Sequence, residues 1–252
     1  TIYETKQSSR LPKSSTMLIT RPMDDWKPFE AGRGLVGGRG EDRAARRRVP
    51  PYAHRTVLRP YDVPEELETG RQFFAPGGTP IEVEIGYGRG HHACDRILQA
   101  PTHRFLLFEV RKEWVVRTAG WLDREKLDSA RLIHDDARPL LMRLFEPGSV
   151  AAFSVFFPDP WWKKRHLKRR VMSPDLIEVM HRLLAPGGLM HFRTDVHSYF
   201  EIVEGLFAAH DGFERVDADH DSEGRRLPLT HREKKCEEFD IPVNTLCARK
   251  RG

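Results

Sequence analysis

Apolar residues fall into two alternating patterns along most of the chain. The runs at 81–85 (IEVEI), 104–110 (RFLLFEV), 130–134 (ARLIH), 150–157 (VAAFSVFF) and 189–195 (LMHFRTD) are short and nearly continuous, as buried strands are. Between and after them, 90–100, 112–126, 137–145, 173–185 and 196–209 carry apolar residues at helical spacing. Ser173 ahead of Pro174 supplies a helix cap and a first-turn proline. Two further strands, FERV at 213–216 and PVNTLCARK at 242–250, end the chain. Strands alternating with helices predict an α/β architecture: a mostly parallel, seven-stranded sheet with helices on both faces. No period of 20–50 residues repeats, which excludes solenoids and propellers.

Composition changes this picture near residue 70. Residues 1–70 are rich in Gly, Pro, Arg and Ser, with GRGLVGGRG at 32–40 and Arg46-Arg47-Arg48 close behind. They are expected to form an N-terminal extension, flexible and partly basic, before a folded domain over 71–252. Two readings of it stay open: a disordered tail, or an arm that touches RNA or covers the active site. The net charge of +5 and a pI near 9.2 permit a polyanionic partner without proving one. No run approaches the roughly 18 apolar residues of a membrane span. The first residues hold no apolar leader segment, so the expected setting is the cytoplasm. Cys94, Cys236 and Cys247 form no CxxC pair, and no set of His, Cys and acid has metal-ligand spacing; no disulfide scaffold and no metal are expected.

Ligands of such sheets bind beyond the carboxyl ends of the strands. The first strong strand runs into Glu84-Ile85-Gly86-Tyr87-Gly88-Arg89-Gly90. Its glycines let the backbone turn and approach a ligand. The spacing is GxGxG rather than GxGxxG, and no Gly-Lys-Ser/Thr follows, so a nucleoside without phosphates fits better than a dinucleotide. Glu109 ends the second strand, 23 residues after Gly86, where a carboxylate accepts bonds from a ribose diol. Asp135-Asp136-Ala137 follows the third. Any one of these acids reads equally well as a helix cap or a solvated charge, but three at successive strand ends make a stronger case. The constellation resembles the S-adenosylmethionine site of class I methyltransferases, which have a Rossmann-like fold. That resemblance implies Glu84 at the methionine end, Glu109 at the ribose, Asp136 at the adenine, and Gly86, Gly88 and Gly90 in the turn.

The fourth strand leads into Phe157-Pro158-Asp159-Pro160-Trp161-Trp162, then into 163–170, where six of eight residues are Lys or Arg. Prolines on both sides stiffen Asp159. Aromatic rings beside a cationic run suit a flipped base and its phosphates. Trp161 has two readings, stacking on a base or packing under the loop.

Over about 80–250 the chain is similar to the tRNA (guanine-N7)-methyltransferases. The carriers are the glycine turn, Arg111-Lys112-Glu113-Trp114, Asp135-Asp136-Ala137, Phe157-Pro158-Asp159-Pro160-Trp161 with its basic run, Pro186-Gly187-Gly188, Phe192-Arg193-Thr194-Asp195 and Thr230-His231-Arg232-Glu233. The resemblance implies methylation of N7 of a guanine in the tRNA variable loop. It implies Asp159 as the catalytic acid, also touching the cofactor, with Lys163, Asp195, Thr230, His231, Arg232 and Glu233 as substrate contacts. Tyr87 inside the glycine turn, Trp162, residues 1–70 and the segment 217–229 depart from the family pattern. The alternatives are a methyltransferase for another RNA and a non-catalytic RNA-binding protein on the same fold. The expected partner is tRNA, with no membrane and no metal, and the assembly a monomer or homodimer.

Overall fold

A computed structural model of the chain describes residues 56–58, 64–75, 77–216 and 219–252. The regular elements are β1 Val57–Leu58, α1 Pro64–Phe73, β2 Ile81–Ile85, α2 His91–Gln99, β3 Arg104–Phe108, α3 Lys112–Arg124, β4 Ala130–Ile133, α4 Leu141–Leu144, β5 Val150–Phe156, α5 Pro174–Leu183, β6 Leu184–Thr194, α6 His197–Ala208, β7 Phe213–Val216, α7 His231–Glu238 and β8 Asn244–Lys250. A 3₁₀ turn, Lys164–Arg169, interrupts the passage from β5 to α5.

The strands form one sheet in the order β1-β4-β3-β2-β5-β6-β8-β7. Pairing is parallel from β1 to β6, and β8 runs antiparallel to both β6 and β7. The sheet therefore has eight strands, not the expected seven. The additional one, β1, is an edge pair held by Val57↔Leu132 and Leu58↔Ile133. It lies, with part of α1, before residue 71, so the sheet draws on residues assigned to the extension. Residues 1–55 of that extension, including the glycine-rich and arginine-rich runs, lie outside the described residues. From β2 the chain proceeds outward to β3 and β4, then returns to place β5 on the other side of β2. That reversal, at Glu84↔Ser154, is the topological switch point where such sheets open a crevice.

Strand alternation sorts the interior into two cores. Val83, Leu106, Phe153, Val155 and Phe192 pack with Leu141, Leu176, Met180 and Val203 on the α4–α5–α6 face. Phe105, Leu107 and Leu132 pack with Ala93, Ile97, Val115 and Leu122 on the α2–α3 face. The second face turns polar over β2, β5 and β6, where Glu82, Glu84, Ser154, His191 and Arg193 are partly or wholly buried. Charge neutralisation there is pairwise. Arg96 on α2 joins Glu82 (2.6 Å) to Asp221 (2.8 Å), and His103 lies between Glu82 (2.5 Å) and Glu223 (3.1 Å). These contacts lay the segment 219–227 across the sheet toward α7.

Among the described residues His191 has no such partner. Burial first, then the Arg193 charge, pushes its pKa down to about 4 from the usual 6.5. The unfolded chain takes up a proton below about 6.5 and the folded one does not until about 4, so stability falls as pH drops through that window. The gap is worth up to about 3 kcal/mol at its acid end. Urea midpoints measured from pH 7 to 4 should fall less steeply in His191→Gln; an identical slope would assign the acid sensitivity to other groups.

Candidate active site

The carboxyl ends of β2, β3, β4 and β5 surround a cavity of about 370 Å³, within the roughly 300–1,000 Å³ typical of small-ligand sites. Gly86, Glu109, Val110, Asp136, Asp159, Trp161 and Arg169 are among its lining residues. Four residues named for cofactor and catalysis thus share one space although they come from four strand ends.

The glycine turn is shaped by conformation and by closeness. Gly86 has φ 78°, a left-handed value that disfavours any side chain. At Gly90, also left-handed (φ 80°), a Cβ would stand 2.6 Å from Thr118 Oγ1. Glu109, 3% exposed, braces the turn from below. One of its oxygens accepts the Gly88 N–H (2.8 Å) and the other the Arg111 N–H (2.9 Å). Tyr87 leaves the turn for the α2–α3 core, where burial first and the Glu109 charge next push its phenol pKa well up. Glu84 lies behind the cavity, buried and joined at 2.9 Å to His92 Nδ1 at the start of α2. The His92 ring meets Phe156 edge-on at 4.7 Å.

Asp136 is half-exposed and already engaged. It accepts the Arg138 N–H and Nε at 3.0 Å each, and the same guanidinium makes a further short contact. Burial raises its pKa, but the Arg138 hydrogen bonds and charge outweigh that and leave it lowered.

The segment after β5 is the most constrained of the site. Phe157 (φ 50°) and Trp161 (φ 43°) both adopt the left-handed conformation on either side of Pro158-Asp159-Pro160. Each such non-glycine residue costs on the order of 1–2 kcal/mol. Two hydrogen bonds hold the segment in place: Phe157 N–H to Arg193 O (2.7 Å) and Arg170 Nε to Pro160 O (2.7 Å). Asp159 is exposed at the cavity edge, and no hydrogen bond or ion pair to it is found among the described residues. Trp161 forms cavity wall, with Arg169 over its ring at 5.1 Å and His166 against its edge at 5.3 Å.

The remaining residues named for substrate gather elsewhere, around the tip of β6. Thr230 caps α7: its hydroxyl accepts the Glu233 N–H (3.0 Å) while Glu233 Oε2 accepts the Thr230 N–H (2.7 Å). The same Oε2 receives Arg193 at 2.8 Å. Asp195 is bound by Arg232 Nε at 3.0 Å. His231 stacks on His91, ring centroids 4.9 Å apart, which sets the start of α7 beside the start of α2 and the glycine turn. None of these five lines the cavity, nor does Lys163, which is exposed at the head of the basic turn. Sequence reasoning gave no role to Arg138, to the Arg193 side chain or to the cavity place of Arg169. Only Arg169 carried a signal, as a member of the basic run. Among the described residues no cluster of His, Cys, Asp and Glu could hold a metal, and no helix is long and apolar enough to cross a membrane.

The methyltransferase family Methyltransf_4, described as "Putative methyltransferase", matches residues 78–246. The tRNA (guanine-N(7)-)-methyltransferase of Rhodopirellula baltica is 31% identical over 94% of this chain and 100% of its own length. That of Myxococcus xanthus is 45% identical over 46% of this chain and 57% of its own. Among solved structures, the aminoglycoside resistance methyltransferase NpmB1 superimposes with a TM-score of 0.52 at 15% identity, covering 75% of this chain and 93% of that one. The 16S rRNA methyltransferase KamB does so with 0.52 at 16% identity, covering 75% and 94%. These two likenesses concern the fold alone.

Proposed function

The chain belongs to the tRNA (guanine-N(7)-)-methyltransferase family, and we propose that it is an S-adenosylmethionine-dependent enzyme acting on N7 of a guanine in the variable loop of tRNA. The observation that carries this reading is the single cavity at the switch point shared by Gly86, Glu109, Asp136 and Asp159. The residues fit the methyl donor. A Cβ added at Gly86 or Gly88 would meet nothing within 4 Å, so the turn is an open cradle, and carboxylates suit a ligand carrying an ammonium and a sulfonium. When bound, S-adenosylmethionine supplies an electrophilic methyl group.

Glu109, fixed by the Gly88 and Arg111 amides, would hold the ribose hydroxyls. Asp136, oriented by Arg138, would accept the adenine amino group. Val110, 65% exposed, offers the base an apolar wall. Glu84 would hold the methionine end from behind the turn. Guanine N7 already bears a lone pair, so no residue has to deprotonate it. The purine becomes cationic on methylation, and an oriented carboxylate at its Watson–Crick edge stabilises that charge. Asp159 has the free carboxylate for this. Asp195, Arg232, Thr230, His231 and Glu233 would act on the substrate from the side of α7. We place the enzyme in the cytoplasm.

Arg169 lines the cavity, and Lys163, Arg165 and Arg170 belong to the same segment; these four would meet tRNA phosphates. Replacing Lys163, Lys164 and Arg165 together with alanine should flatten the dependence of log Kd on log salt by about 0.7–0.9 per lost contact. An unchanged slope would mean that the run faces away from the RNA. The reading as a whole is tested by incubating the protein with bulk tRNA and S-adenosylmethionine, then mapping aniline-sensitive cleavage. Cleavage at a variable-loop guanine is the expected result. Cleavage at another RNA position would favour a different acceptor, and none would favour a binding protein.

A further inference from the structure

The two consecutive tryptophans of the β5 loop go to different places. Trp161, left-handed at φ 43°, is part of the cavity wall. Trp162 lies outside the cavity lining and stays 48% exposed. Each ring carries its own guanidinium: Arg169 over Trp161 at 5.1 Å, Arg170 over Trp162 at 5.0 Å. Trp162 is nonetheless mounted firmly. Its ring meets Tyr199 of α6 in a T-shaped contact at 6.4 Å, and Tyr199 is fully buried. Arg170 is tied to Pro160 O at 2.7 Å and lies 5.6 Å from the Tyr199 ring. A rigidly held, half-exposed indole with a cation over it, beside exposed Lys163 and Arg165, has the chemistry of a site for a flat aromatic group attached to anions.

A guanine drawn out of its stack leaves its neighbours with an uncovered face. Asp159, the residue proposed to face the acceptor guanine, stands three positions before Trp162. We propose that Trp162 and Arg170 form a second base station, where Trp162 stacks on the unpaired nucleobase next to the acceptor guanine and keeps the strand splayed. This rests on the RNA-methylation reading and deepens it: the cavity takes the methyl donor and the acceptor base, and the outer station takes the neighbour.

The test is a double-substitution cycle with the full chain. Affinity is measured for Trp162→Leu, Trp162→Phe and the unaltered protein, on tRNA carrying an abasic residue on the 5′ or the 3′ side of the methylated guanine. Stacking of one base is worth about 5- to 150-fold in affinity. On intact tRNA, Trp162→Leu should bind on the order of tenfold more weakly and Trp162→Phe should lose less. The abasic residue should weaken the unaltered protein by a similar factor at one of the two positions, and combining it with Trp162→Leu should add no further loss. Unchanged affinity of Trp162→Leu, or losses that multiply at both positions, would overturn the base station. Trp162→Leu should retain S-adenosylmethionine binding by calorimetry; if it does not, the same cycle with Trp162→Phe decides. Failure of the unaltered protein to methylate any tRNA guanine would remove the underlying reading and this inference with it. Multiplying losses in an active enzyme would remove the base station alone.

Discussion

Asp159→Asn is expected to methylate tRNA about 100- to 1000-fold more slowly, a loss of roughly 3–4 kcal/mol of transition-state stabilisation, while S-adenosylmethionine affinity changes little. Asparagine keeps the size of the side chain and removes its charge, so the effect isolates electrostatics from shape. The size of the effect follows from preorganisation. Two left-handed residues, two prolines and the hydrogen bonds to Arg193 O and from Arg170 fix the backbone that carries the Asp159 carboxylate before any substrate arrives. A charge held in place costs no reorganisation when the purine turns cationic, whereas a mobile one would have to be ordered first. Glu109 is occupied by two amides and Asp136 by Arg138, so neither can replace it. Single-turnover rates on tRNA, with calorimetry of the methyl donor as control, check this. Near-normal turnover in Asp159→Asn would take Asp159 out of the chemistry, and joint loss of donor binding would make it a cofactor residue only.

The stretch from β2 to α6 was legible because each element carries its own period: apolar runs for strands, three-to-four spacing for helices. Observed ends match those expected at 81–85 and 213–216, whereas of the helix expected over 137–145 only Leu141–Leu144 forms. What escaped was decided by contacts distant in sequence. β1 is two residues long in a Pro- and Arg-rich context, and it is a strand only because β4 offers it a parallel edge. β6 begins at Leu184 rather than 189, because the sheet carries Pro186-Gly187-Gly188 through a register shift at Val150/Ala152. α7 has few apolar residues; its first turn was read as a substrate segment, although Thr230 and Glu233 also spell a capping box.

The site divides in the same way. Acids at successive strand ends were legible because a parallel sheet necessarily gathers its carboxyl ends. Which of those acids is already engaged was not, since that depends on contacts such as Arg138 with Asp136 and His92 with Glu84, which strand and helix spacing does not reveal. The cavity unites Gly86, Glu109, Asp136 and Asp159, whereas Thr230 and Glu233 satisfy one another and Arg193.

Arg193→Met is expected to be the most destabilising single change at the site. Arg193 is fully buried and its guanidinium serves three acceptors: Asp219 (3.2 Å from Nε), Glu233 (2.8 Å) and Pro228 O (3.1 Å). Removing it strands the Glu233 carboxylate, 7% exposed, with no cation in reach among the contacts it makes here. Breaking one side of such a pair costs about 3–5 kcal/mol, which for a domain of this size lowers Tm by roughly 6–20 °C. Turnover should fall as well, because Arg193 connects both halves of the site: its side chain seats the cap of α7, and its carbonyl accepts the Phe157 N–H at the start of the Asp159 loop. The triple variant Arg193→Met, Asp219→Asn, Glu233→Gln discharges the stranded carboxylates and should recover much of the lost stability but little of the turnover. Differential scanning calorimetry with methylation assays separates these outcomes. An unchanged Tm in Arg193→Met would mean that water reaches the cluster and that α7 is held to the sheet by other contacts.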